Sequence, residues 1–447
     1  MNELNKYASL YSATKLFILE TCQALNENDI PTKVWNRLVQ KDNGVELSNE
    51  IRTDYSELIM LLRLNHKLPG SLNELVKLII ETPELANRLL KDAGCNPITD
   101  VKMSEWWLTN TFMGPFLQVY FTNAKSIIFN EEVFNIVFQR LIKDIESATR
   151  AVKDLSPLIN ARLIDCDRIE ITPNIIIRRL TNDELEKWLN EYTNDPYFLI
   201  MGGIYVDITQ LNCAIEANYI QNKYDAWNSP EYQEDISNLL TTLRIITDKS
   251  VHISFTEHQS DNMLSQSGGR MSTLRPRIRG EIADITPSMQ QNITSIWKGI
   301  KTLGNTSRLK LALKRWDSVS ERFDQFDKFI DYWIALESLF SISNSEISYR
   351  VSLRIAAMVG DTPEERVQLF KDMKASYRLR SQIVHGDNLK GDNVNDLILK
   401  TRTCLRKALL MKLTGQSFDP ESLEINLLKQ FIREDNNSEG EAIDNSK

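Results

Sequence analysis

The chain has 447 residues, 42% of them hydrophobic and 26% charged, and a formal net charge of −8 at pH 7. It is long and apolar enough for two or three packed domains, and its negative balance excludes a protein that coats nucleic acid non-specifically while leaving room for a local basic site. Five cysteines (Cys22, Cys95, Cys166, Cys213 and Cys404), odd in number, far apart and without a CxxC pair, suit reduced thiols rather than a disulfide framework or a zinc site.

The N-terminal sequence MNELNKYASLY has no basic stretch followed by an apolar run, so no signal peptide is expected. The most apolar window, residues 106–121, is too short and too polar to span a bilayer. A cytoplasmic protein with no membrane partner is the expectation.

Residues 1–155 read as helical and carry no evident chemistry. In SLNELVKLIIETPELANRLLKDAG, leucines and isoleucines recur at helical spacing, with Ser71 and Glu74 as a capping box and Gly94 as a stop. Trp106 and Trp107 read as core or interface. From about 156 the period changes. RIEITPNIIIRRL (168–180), YFLIMGGIYVDI (197–208) and VHISFT (251–256) read as strands, and Thr181 with Glu184 opens a helix between them. This makes 156–286 an α+β middle region ending in a basic linker. His252 and His258 fall on or just after a strand, on what reads as a solvated face, and no third ligand lies nearby for a metal.

The Gly/Ser/Pro-rich run SQSGGRMSTLRPRIRGE (265–281) starts a basic stretch. Between 265 and 322 eleven Lys/Arg face four Asp/Glu in a chain that is acidic as a whole. A solvated helix face accounts for this as well as a phosphate-contacting surface does; on the second reading Arg270, Arg275, Arg277 and Arg279 contact RNA. Residues 287–415 read as six helices, at 288–303, 307–323, 324–341, 348–359, 363–385 and 393–414. Residues 416–447 end in an acidic tail expected to be disordered. The fold class is therefore mainly α with a smaller α+β middle region.

The helix over 363–385 has clear ends: Thr362 as N-cap, Pro363 at N1, Glu365 at N3 and Gly386 beyond the C-cap. Its apolar stripe, in steps of three and four, runs Val367, Phe370, Met373, Tyr377 and Val384, with Arg380 where an apolar residue belongs. Glu337 breaks the stripe Ile330, Trp333, Phe340 in the same way, and Arg354 sits between Val351 and Met358. Buried charges need partners, and pairing of Glu337 with Arg354 or Arg380 is the structural account. It leaves His385 unexplained, a histidine at a helix end where the dipole favours a proton.

Arg380 and His385 are five residues apart, about 500° of rotation and about 7.5 Å of rise, so one chain does not readily grip one phosphate with both. Two copies about a two-fold axis would bring two arginines and two histidines into one cleft. Such a set, with no evident metal ligands, suits RNA cleavage. The 2′-OH is an internal nucleophile, histidine can act as base or acid near neutral pH, and arginine offers phosphate a planar fork of donors.

The run from DKFIDYWIALESLF through ISYRVSLRIAAMVG to YRLRSQIVHG resembles the HEPN superfamily, and within it the Apea-like HEPN domains. The signature is an arginine, four to six residues and a histidine; Arg380 and His385 have four between them, and Ser381 matches the polar residue usual after the arginine. The resemblance covers roughly 287–415. It implies a C-terminal HEPN-like helical bundle that dimerises and a cofactor-free, metal-independent endoribonuclease. Arg380 and His385 would be catalytic, with Ser381, Glu337, Arg354 and Tyr377 in support. Such enzymes serve bacterial anti-phage or toxin-type systems, including abortive infection, and a phage trigger or regulatory protein would act through the N-terminal region. A non-catalytic HEPN-type module that binds RNA or a partner protein is the alternative. A metabolic enzyme in the middle region has no phosphate-loop, dinucleotide, zinc-protease or nucleophile-elbow motif behind it.

Overall fold

The computed structural model describes residues 6–26, 30, 32–41, 44–55, 58–91, 108–194, 211–222, 230–253, 255–263, 280–304, 307–341, 347–386, 393–415 and 419–426. The elements in chain order are α1 (Ala8–Ala24), β1 (Thr32–Lys41), β2 (Gly44–Thr53), α2 (Leu58–Leu64), α3 (Gly70–Glu81), α4 (Pro83–Lys91), a π-helical turn (Leu108–Met113), α5 (Gly114–Ala124) and α6 (Glu131–Glu146). There follow β3 (Thr149–Ile159), β4 (Ala161–Leu163), β5 (Arg168–Thr172), β6 (Ile175–Arg179), α7 (Asn182–Asn194), β7 (Cys213–Asn222), α8 (Pro230–Thr247), β8 (His252–Ile253), β9 (Glu257–Ser260) and β10 (Ala283–Ile285). The chain continues through α9 (Gln290–Lys301), α10 (Arg308–Val319), α11 (Gln325–Phe340), α12 (Ile347–Val359), α13 (Pro363–His385) and α14 (Val394–Leu413). It is mainly helical with a smaller strand-bearing middle, as its periodicities predict.

The chain divides into two compact units. One comprises Met1–Pro157, Asn174–Pro230 and Ser254–Leu274, the other Leu158–Pro173, Glu231–Ile253 and Arg275–Lys447. In the first, α1, α3, α5 and α6 enclose an apolar core in which Phe17, Phe116, Phe121, Phe134 and Phe138 are fully buried. The long helix expected after Ser71 is two helices. Thr82 is extended (φ −104°, ψ 91°) because the following Pro83 disfavours the helical conformation for it. The Ser71–Glu74 capping box does not form either: the Ser71 amide and hydroxyl both donate to Glu20 Oε2, at 3.2 and 2.5 Å. Gly94, Trp106 and Trp107 lie outside the described residues.

The β1–β2 hairpin interrupts the region expected to be helical. α7 covers one edge of it: the Asn36 amide donates to Asn190 Oδ1 (2.7 Å) and the Leu38 amide to Glu186 Oε1 (2.8 Å). The capping box expected at the start of α7 is present in both directions, Thr181 N to Glu184 Oε2 at 3.0 Å and Glu184 N to Thr181 Oγ1 at 3.2 Å. Burial pushes the Glu184 carboxyl up, but hydrogen bonds from Arg178 and Thr181 outweigh it and hold the group below the usual range. In the sheet of this unit β7 pairs antiparallel with both β6 and β3, and β9 lies antiparallel on β3. The expected strand over 197–208 lies outside the described residues.

The solvated placement expected for His252 and His258 is wrong, and His252 is half-buried with its Nε2 shut off from solvent. His258 is buried, with Nδ1 2.6 Å from Asp154 Oδ1, and Tyr219 Oη donates to Asp154 Oδ2 at 3.1 Å. The inner face of β3 carries Arg150, Asp154 and Ser156, so this buried polar set, rather than solvent, is what the histidine meets.

In the second unit the six helices expected after 287 all form, with ends within four residues of the expected ones. Trp333, Leu336, Phe340, Ile355, Met373, Leu405 and Leu409 make up much of their core. Arg402 and Arg406 cap the carbonyl end of α8, donating to Asp248 O, Ile245 O and Ile246 O, each at 2.6 Å. Asp331, 2% exposed, receives Arg315 and Arg322 at 3.1 Å each. Such satisfied buried charges fix the helices against one another without adding much net stability.

Candidate functional site

α13 begins and ends as its sequence dictates. Thr362 Oγ1 accepts from the Glu365 amide (3.2 Å), Glu365 Oε2 accepts from the Asp361 amide (2.8 Å), and Pro363 fills the first turn where no amide partner is needed. Gly386 sits in the left-handed region (φ 73°, ψ 25°), which glycine enters without penalty, and its amide donates back into the last turn. His385 is therefore the last helical residue, and its side chain is exposed.

The face that α13 buries is the expected one only in part. Met373 is buried and Tyr377 packs against the core as expected, but Val367 is 55% exposed and Val384 52% exposed, and Ser376 and Leu379 are buried instead. Ser376 explains the difference. Its hydroxyl accepts from Trp333 Nε1 at 3.0 Å and meets the Thr401 hydroxyl at 2.6 Å, which in turn donates to Leu397 O at 2.7 Å. A satisfied chain of polar groups occupies the centre of the contact with α11 and α14, so the core face passes through a serine.

Arg380 lies on the flank of that face, about a quarter exposed. Its Nη2 is 3.7 Å from Glu337 Oε1, and its guanidinium carbon is 5.7 Å from the centre of the Tyr377 ring. Tyr377 packs edge-on against Trp333, with ring centres 5.0 Å apart. Burial pushes the Tyr377 phenol up and the Glu337 charge pushes it further, with Arg380 opposing. At 3.7 Å the Arg380–Glu337 contact is an ion pair and not a hydrogen bond. No hydrogen bond from the guanidinium to another described residue is formed, and Nε is buried without an acceptor. Arginine carries five donors, so Arg380 is oriented by a charge and an aromatic face while its donors stay largely uncommitted.

Arg354 does not join this group. It is 2% exposed, donates from Nη1 to Phe340 O at 2.6 Å, and holds Nε 2.8 Å from Glu424 Oε1 in the helical turn at 420–426. Of the two partners expected for Glu337, Arg380 takes the place and Arg354 does not. Ser381 is half-buried beside Arg380. Arg270, Arg275, Arg277 and Arg279 lie outside the described residues.

The structure thus brings together Arg380, Glu337 and Tyr377, and sets His385 about 1.4 turns further along the same helix, about 140° round its axis. Among the described residues no group of three or more His, Cys, Asp or Glu is placed to hold a metal ion, and no helix is long and apolar enough to cross a membrane. Sequence reasoning missed Glu424 and the Trp333–Ser376–Thr401 chain. Neither breaks an apolar stripe in a way that marks it as a partner. No family model, curated protein or solved structure matches the chain.

Proposed function

We propose that the chain is a HEPN-type endoribonuclease acting as a homodimer, with Arg380 and His385 as its catalytic residues. The observation that carries this reading is the pairing of an oriented arginine whose donors are unspent with an exposed histidine at the end of the same helix. In the dimer one His385 takes the proton of the ribose 2′-OH. The oxygen attacks the adjacent phosphorus, the P–O5′ bond breaks, and the partner copy's imidazole protonates the leaving 5′-oxygen. Arg380 donates to the non-bridging oxygens as charge builds on the phosphorane. Glu337 holds Arg380 in place, and Tyr377 backs its guanidinium.

The Arg380–Glu337 ion pair is also the observation that favours a second reading, a non-catalytic module in which Arg380 is structural. The two readings separate on a chimeric RNA. The purified full chain is expected to cut an all-ribose oligonucleotide and to leave uncut one carrying 2′-hydrogen at the scissile nucleotide, while binding both. Binding without cleavage of either RNA would favour the module and remove the catalytic assignment.

A further inference from the structure

The outer face of α13 carries a second feature. Lys371, Lys374, Arg378, Ser381 and His385 follow one another in steps of three, four, three and four, which puts all five on one stripe of the helix. From Lys371 to His385 the stripe is about 21 Å long. Lys371, Lys374 and Arg378 are exposed, and none makes an ion pair with a described residue. The carboxylate nearest in sequence, Asp372, lies off the stripe and is held by Lys400 at 3.0 Å and Gln368 at 3.0 Å. Three unpaired cations on one exposed face, in a chain of net charge −8, make a local positive stripe of the kind that attracts a polyanion.

An aromatic pair stands beside the stripe. Tyr349 of α12 is 49% exposed and packs edge-on against Phe370, ring centres 5.5 Å apart. Lys374 Nζ lies 5.9 Å from the Tyr349 ring and 5.5 Å from the Phe370 ring. Cations that follow a backbone, with an exposed ring on which an unstacked base can lie, are the two parts of a single-strand binding surface. A duplex keeps its bases stacked and would leave Tyr349 unused.

We infer that this stripe is the track for the substrate strand. Lys371, Lys374 and Arg378 contact successive phosphates of single-stranded RNA, Tyr349 stacks one base, and the strand is led to His385. The inference rests on the ribonuclease reading for its end point, but binding alone tests it.

The test measures binding of a fluorescein-labelled single-stranded RNA to the full chain carrying His385→Ala, by anisotropy across a salt series. Substituting Lys371→Gln, Lys374→Gln and Arg378→Gln together is expected to lower the slope of log affinity against log salt by about 2, at about 0.7 per lost phosphate contact on a single strand. A charge-matched control, Lys125→Gln, Lys143→Gln and Lys328→Gln, leaves the slope unchanged. Tyr349→Ala is expected to weaken binding by about fivefold or more with no change of slope. Should the triple variant fail to fold, each single substitution is read instead, at about 0.7 of slope. An unchanged slope in the track variants, or equal weakening by the control, overturns the track even if the wild-type chain cleaves RNA. Equal loss of affinity for duplex and single-stranded RNA overturns the single-strand assignment. A chain that binds along the track but never cleaves leaves the track standing and removes the nuclease reading.

Discussion

Glu337 Oε1 lies 3.7 Å from Arg380 Nη2, near enough to orient the guanidinium and too far to take up its donors. On the ribonuclease proposal Glu337 is a positioning residue. Glu337→Gln keeps the volume and removes the charge. It is expected to lower RNA cleavage at least tenfold while changing stability by about 1 kcal/mol, the scale of a partly exposed pair. Cleavage kinetics with a denaturation curve on the same protein check this. A drop in stability that matches the drop in activity would point to a structural role instead.

The pair formed by Arg354 and Glu424 predicts a different signature. Removing the carboxylate alone by Glu424→Ala leaves a guanidinium that is 2% exposed with only the Phe340 carbonyl, and should cost about 3 kcal/mol. Replacing both partners, Arg354→Met with Glu424→Leu, removes the stranded charge and should recover most of that. Urea unfolding of Arg354→Met, Glu424→Leu and the double variant measures the coupling. Additive losses would show that the ion pair does not anchor the turn at 420–426.

His252 contributes one part of the pH dependence of the fold. Burial, with the neighbouring Arg244 charge, pushes its imidazole down from 6.5 to about 4. In the unfolded chain the ring binds a proton as pH falls below about 6.5, and in the folded chain it does so only near 4. The unfolded state therefore holds more protons between these limits. Stability contributed by His252 is fully present above pH 6.5, falls as pH drops toward 4, and then levels off. His252→Gln is expected to make the melting temperature fall less steeply between pH 6.5 and about 4; an unchanged profile would remove the assignment.

How much of this was legible in the sequence depends on where polar groups sit. Helices over 287–415 could be read closely because their caps are chemical signals: Asp324, Ser307 and Thr362 each accept from the first turn they precede. The strand β3 could not, because Arg150, Asp154 and Ser156 occupy its inner face and erase the alternation of apolar residues. The β1–β2 hairpin has one sequence signal, the Asn-Gly dipeptide at 43–44, but the flanking runs carry only three β-branched residues in ten each. At the site, Arg380 and Glu337 announced themselves by breaking apolar stripes. Val367 and Val384 misled for the converse reason. They are apolar residues on an outer face, and Ser376 held the inward position instead.

The composite site makes a prediction about mixed chains. Arg380→Ala and His385→Ala homodimers are each expected to be inactive, and a mixed dimer of one wild-type and one His385→Ala chain should lose most of the cleavage rather than half of it, because the proposed cleft needs an imidazole from each copy. Light scattering and RNA cleavage on the isolated mixed dimer check this. Full activity from a monomer would remove the need for a shared cleft.

The central claim is that His385 does acid–base chemistry on RNA that supplies its own nucleophile. The most direct measurement is mass spectrometry of the ends left on a single-stranded RNA by the full chain in EDTA, with the His385→Ala variant alongside. His385 is exposed at a helix end, so the substitution should change stability by no more than about 0.5 kcal/mol. The account predicts 2′,3′-cyclic phosphate and 5′-hydroxyl ends from the wild type and intact RNA from the folded variant. Ends bearing 3′-hydroxyl and 5′-phosphate, cleavage lost in EDTA and restored by Mg²⁺, or full activity in the variant would contradict it.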